Sequence, residues 1–128
     1  MPVTWEIRGS RLRVAPRGDH TLDELERAAV EILESPLFRP RMSVLVDVRH
    51  VTANHSTEQL REWAERLAPY LPRFGVSSQC AIVTGPDLRR YTLNRSLAGI
   101  GGPSGFDIHV FHEMDEALEW LADITDPG

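Results

Sequence analysis

Residues 43–48 read Ser43-Val-Leu-Val-Asp-Val48, an almost unbroken apolar, β-branched run with one carboxylate near its end. A strand with one wet face alternates apolar and polar side chains. This run offers both faces to apolar neighbours, as a strand inside a parallel sheet does when helices cover it on either side. The flanking segments supply those helices. Upstream, Thr21 and Glu24 form a capping box ahead of the apolar stripe Leu22, Leu25, Ala29, Ile32 and Leu33, and Ser35-Pro36 ends the helix. Downstream, Ser56 and Gln59 form a second capping box ahead of Leu60, Trp63, Ala64 and Leu67, with Pro69 and Pro72 placed to stop it.

Moving outward, the N-terminus reads as a hairpin. Val3, Trp5 and Ile7 alternate with Thr4, Glu6 and Arg8, Gly9-Ser10 has the glycine-first order of a type II′ turn, and Arg11 to Ala15 returns with Leu12 and Val14 inward. Toward the C-terminus, Gln79-Cys-Ala-Ile-Val-Thr84 is a further strand and Gly85-Pro86 opens a helix over roughly Asp87 to Ala98. Gly99 to Gly105 is a glycine-rich loop, Phe106 to Phe111 a last strand, and Met114 to Ala122 a closing helix. The expected fold is therefore α/β: an opening β-hairpin, then βα units building a mainly parallel five-stranded sheet with about four helices. At 128 residues, the chain is read as a single domain over 1–128.

Composition narrows the function. Hydrophobic residues at 41% and charged residues at 26% fit a globular protein and argue against disorder. No apolar run approaches the ~18 residues of a membrane span, and no charged-then-apolar leader opens the chain. One cysteine allows no internal disulfide and no thiolate cluster, so a reducing cytoplasm is the expected location. A net charge of −5 disfavours nucleic acid. All 14 cations are arginine, which rules out a catalytic lysine.

Three stretches resemble a known family. Val44-Leu-Val-Asp-Val-Arg-His-Val-Thr52 followed by Ser56-Thr57 resembles the middle motif of STAS domains, the superfamily of bacterial anti-sigma-factor antagonists and stage II sporulation protein AA. Cys80-Ala-Ile-Val-Thr-Gly85, with Arg90-Tyr91 and Asn94-Arg95 after it, resembles the third part of small bacterial STAS-like proteins. His109-Val-Phe-His-Glu-Met-Asp-Glu-Ala-Leu-Glu-Trp-Leu121 is similar to their closing strand and helix. The resemblance implies a βα superhelix shared distantly with lipid-carrying CRAL-TRIO domains, and a non-enzymatic role. It also implies Ser56 as a phosphorylation site, since anti-sigma antagonists are phosphorylated on a serine at this helix N-terminus. Here, however, His55 stands where the family has aspartate, and Thr57 and Glu58 stand where a glycine usually follows. Glu58 would repel a phosphate, and a plain N-cap explains the same serine.

The candidate recognition surface is the carboxyl edge of the sheet: Asp47, His55, Ser56, Tyr91, Asn94 and Arg95. Asp47 either orients a ligand or pairs with a neighbouring arginine and caps loop amides. No nucleophile–base pair is found, so no catalytic residue, cofactor or metal is expected. His109 and His112 are three apart on a strand and point to opposite faces, while His50 and His55 lack an acidic or thiol ligand at motif spacing. Arg8, Arg11, Arg13 and Arg17 gather on the outward side of the hairpin, either as an anion or partner patch or as charge guarding a sheet edge. The expected function is regulatory protein–protein contact, with a protein partner or self-association. The alternative is carriage or sensing of a small apolar or amphipathic, lipid-like ligand by a pocket of Phe38, Met42, Trp63, Tyr70 and Phe74.

Overall fold

The computed structural model describes residues 3–52, 56–74, 79–87 and 107–125. Strands β1 (Val3–Arg8), β2 (Arg11–Pro16), β3 (Ser43–Asp47), β4 (Gln79–Val83) and β5 (Asp107–Phe111) form one sheet in the order β1-β2-β3-β4-β5. β1 runs antiparallel to β2 and the remaining neighbours are parallel, as the hairpin-then-βα reading requires. Gly9 takes φ +59° at the hairpin turn, the left-handed conformation that its lack of a Cβ permits.

Helix α1 (Leu22–Glu34) starts at the expected capping box: the Glu24 amide donates to Thr21 Oγ1 at 3.1 Å, and the Thr21 amide donates to Glu24 Oε1 at 2.9 Å. Helix α2 (Thr57–Leu67) has the same device, with Gln59 N to Ser56 Oγ at 3.1 Å and Ser56 N to Gln59 Oε1 at 2.8 Å. Beyond α2 the prolines do not end helical structure. Ala68–Tyr70 makes a 3₁₀ turn around Pro69, and α3 (Leu71–Phe74) carries Pro72 in its first turn, where the missing N–H has no intrahelical partner to lose. The closing helix α4 (Met114–Thr125) extends three residues past the expected end. The helix expected over 87–98 lies outside the described residues beyond Asp87.

Strand alternation divides the core into two. On one face, Val3, Leu12, Val14, Val44 and Cys80 pack with Ala28 and Ile32 of α1, flanked by Trp5, Ile7, Phe38, Val46, Ile82 and Ile108. On the other, Leu45, Ala81 and Val83 pack with Ala117 and Leu121 of α4, flanked by Phe111, Met114, Leu118 and Trp120. β3 is therefore covered on both faces, as its unbroken apolar run predicts. α2 and the turn after it tie back to α1 through Arg66, 2.8 Å from Asp23 and 3.2 Å from Glu26, and through the Tyr70 hydroxyl, 3.2 Å from Glu26 Oε2.

Candidate functional site

The carboxyl edge of the sheet is built by chain segments that continue the ladders past the strand ends. The Val48 amide donates to Val83 O at 3.0 Å, prolonging β3 against β4, and the Thr84 amide donates to Phe111 O at 3.0 Å, prolonging β4 against β5. On the far side, Gly18 N donates to His50 O and Thr52 N to Gly18 O, both at 2.9 Å, so the loop after β3 is stitched to the segment after β2. Gly18 holds φ +57° to do this.

Asp47 ends β3 with its side chain only 3% exposed. A buried carboxylate needs charge and hydrogen-bond compensation, and three donors supply it. Arg49 closes a fork on it, Nε to Oδ1 at 2.9 Å and Nη2 to Oδ2 at 2.9 Å. The Arg49 amide adds a third bond to Oδ1 at 3.1 Å. Arg13 approaches from β2, with Nη2 3.6 Å from Oδ2. Burial by itself pushes the Asp47 carboxyl up, but the hydrogen bonds and charge of Arg49, with His50 nearby, outweigh it and hold the group below the ordinary carboxylate range. The same fork raises Arg49 further above its usual value.

Gly85, just past β4, takes φ +77°, and a Cβ built on it would lie 3.4 Å from Arg49 Cγ. The glycine is called for by the left-handed turn, and the Arg49 stem packs beside it at ordinary contact distance. Its carbonyl oxygen is 3.1 Å from Thr84 Oγ1 and 3.2 Å from His112 Nδ1. Asp47, Arg49, Thr84, Gly85 and His112 form a linked polar layer across the tips of β3, β4 and β5.

Of the residues singled out from sequence, Asp47 lies inside this layer, and Ser56 stands exposed at the N-terminus of α2 with its hydroxyl occupied as the cap. His55, Tyr91, Asn94 and Arg95 lie outside the described residues. Arg49 and Gly85 are not among the residues that the sequence singles out for this edge, although Arg49 is two positions from Asp47. The strand alternation puts Arg13 on an outward face, but its meeting with Asp47 depends on the β2–β3 register.

The remaining candidates have ordinary surroundings. His109 pairs with Asp107 at 3.0 Å and stacks on Trp120 with centroids 4.4 Å apart. Among the described residues no three His, Cys, Asp or Glu side chains gather as a metal site would need. Burial pushes the Cys80 thiol up to about 12, which leaves it unreactive. Of the residues offered for an apolar pocket, Met42 is 3% exposed and Phe38 packs against the α1-side core. No helix among the described residues is long and apolar enough to cross a membrane.

A protein of the DUF3478 family from Shewanella loihica PV-4, whose 2.25 Å crystal structure has a SpoIIAA-like fold, superposes with a TM-score of 0.59. It is 16% identical, and the match covers 93% of this chain and 91% of that one. At that identity the likeness speaks for the fold. No curated protein matches the chain at a significant level. The SpoIIAA-like family model matches residues 11–122, from the second strand of the hairpin into the closing helix, so the chain belongs to the SpoIIAA-like family.

Proposed function

We propose that this protein is a non-enzymatic regulatory module that works by protein–protein contact through the carboxyl edge of its sheet. The observation that carries the reading is the state of Asp47. Its carboxylate is buried, ionised and already held by Arg49 and Arg13, so it has little basicity to offer a substrate. What it does instead is position Arg49 at the start of the loop after β3. Such a rigid, polar strand-tip layer suits recognition better than acid–base work. The Ser56 hydroxyl is engaged as an N-cap and Glu58 follows in the first turn, which favours a structural serine over a phosphorylated one. His55, Tyr91, Asn94 and Arg95 complete the surface in this reading.

The test is site-specific photocrosslinking in the native cell, with the probe at exposed Glu58 on this edge and, separately, at exposed Arg27 on α1. The expected result is a reproducible protein adduct from position 58, absent from position 27 and lost when Tyr91 and Arg95 are changed to alanine. No adduct at 58, or the same adducts from both positions, overturns the reading.

A further inference from the structure

The face of the sheet under α4 is only half covered. α4 lies over β3, β4 and β5, where the sheet presents Leu45, Ala81, Val83 and Phe111. On β1 and β2 that same face presents Thr4, Glu6, Arg8, Arg11 and Arg13, with Ala15 buried at its carboxyl end, and no described helix lies on it. Arg8 and Arg13 have side-chain exposures of 83% and 45%. Arg8 and Arg11 are direct cross-strand partners, a like-charge pairing that works against the hairpin. Arg11 also buries an Nε–H that finds no acceptor among the described residues. Guarding an open edge explains charge on β1, but β2 is an interior strand, paired on both sides, and has no edge to guard. Arg13 there answers Asp47, and Arg11 on the same outward face calls for another reason.

The complement stands beside them. The outward ridge of α4 carries Asp115, Glu116 and Glu119, all exposed, with exposed Glu113 just before the helix and no basic residue anywhere in it. One face of the molecule thus holds a raised acidic helix next to a recessed basic strand pair, the step between them being roughly the ~10 Å of a packed layer. A two-fold axis parallel to the strands, placed at the border between the two stripes, sets each acidic ridge into the other copy's basic recess. That is the self-complementary pattern an isologous dimer requires.

The geometry points to a second copy of this chain as the occupant: the bare β1–β2 half-face of one protomer receives helix α4 of its partner, and the reverse. A polyphosphate suits the recess poorly, since Glu6 stands within the patch, 3.5 Å from Arg8, and would face its phosphates. This assignment does not rest on the strand-tip surface of the proposed function.

Sedimentation velocity on the full chain over a concentration series tests it. The wild type is expected to sediment as a dimer at tens of micromolar and to dissociate as salt rises. Arg8→Glu with Arg11→Glu, and separately Glu116→Arg with Glu119→Arg, are each expected to be monomeric. Mixing the two variants is expected to restore a dimer, because both contacts of the mixed pair are again between opposite charges. Arg8→Gln, at a largely exposed position, keeps the test alive if a double variant fails to fold; it is expected to weaken the wild-type dimer by roughly tenfold. A monomeric wild type overturns the inference, including one that instead binds a hexaglutamate peptide, which would assign the recess to a foreign acidic segment. A double variant that stays dimeric, folded variants that fail to reassociate, or an Arg8→Gln dimer as tight as wild type also overturn it.

Discussion

The two faces of the sheet solve the same burial problem differently. Toward α1, every strand contributes apolar side chains, from Val3, Trp5 and Ile7 on the edge strand to Ile108 on the far side. Toward α4, apolar residues run from β5 to β3 and then give way to Arg13, Arg11, Glu6 and Arg8. Strand β2 carries the contrast within single residues: Leu12 and Val14 are core, while Arg13 between them is surface. A strand's place in the middle of a sheet therefore does not make it core on both sides; on the α4 side of β2 Ala15 is buried but Arg13 is exposed. Asp47 sits at the seam, reached by Arg13 from the bare half and by Arg49 from the strand tip.

The widest chemical contrast belongs to Cys80, on the α1 side of β4. With the thiol pushed up to about 12, roughly one molecule in ten thousand is thiolate at pH 8 even before access is counted. Iodoacetamide is expected to leave native Cys80 unmodified over hours and to alkylate it readily in urea, read by intact mass. Ready alkylation of the folded protein would mean that this face is open.

Next in size is the contrast within β2. Leu12 is 1% exposed, and Leu12→Ala removes packing on the covered face at a cost of about 3 kcal/mol. Its neighbour Arg13 loses only a half-exposed ion pair on truncation, and Arg13→Ala is expected to cost less than about 1 kcal/mol. Urea unfolding of the two variants at one protein concentration compares them, and equal losses would break the two-face description.

At the seam, Asp47→Asn leaves Arg49 without its charge partner. Arg49 and Arg13 are 36% and 45% exposed, so water takes over part of their solvation, and the cost is expected below that of breaking a fully buried pair, about 2 kcal/mol. The pH dependence has a definite sign. The Asp47 carboxyl is held below its unfolded-chain value, so its contribution is complete above about pH 4 and is lost as pH falls through the lower folded value. The stability gap between wild type and Asp47→Asn should narrow in acid; a gap that widens there would mean that desolvation dominates at this carboxylate.

Local patterns and global register were not equally legible. The strand at 43–48, both capping boxes and the glycine-first hairpin turn follow from spacings of a few residues, and all four stand in the structure. The strand-tip layer was legible only in its pieces. Asp47, Gly85 and the arginines are visible as residues, but the Arg13–Asp47 approach needs β2 paired with β3 in register Val14 to Val46, and the Arg49–Gly85 contact needs β3 beside β4. Neither pairing is a property of a short window. The prolines misled for a related reason: Pro69 and Pro72 forbid a continuous helix, yet nothing in them forbids a new helical turn starting beside each one.

The smallest effects separate the two capping boxes, which share a geometry but differ in setting. Thr21 opens α1, whose stripe is buried in the core, and Ser56 opens α2, which reaches α1 through the polar links of Arg66 and Tyr70. Thr21→Ala and Ser56→Ala are each expected to cost about 1 kcal/mol. Ser56→Asp separates a capping role from a phosphorylated one. Aspartate caps as well as serine, so stability is expected to stay within about 0.5 kcal/mol of wild type. Were Ser56 instead a phosphorylation switch, wild type isolated from the native cell would carry the added mass of a phosphate that Ser56→Asp lacks, so intact mass and unfolding on the two proteins distinguish the two roles.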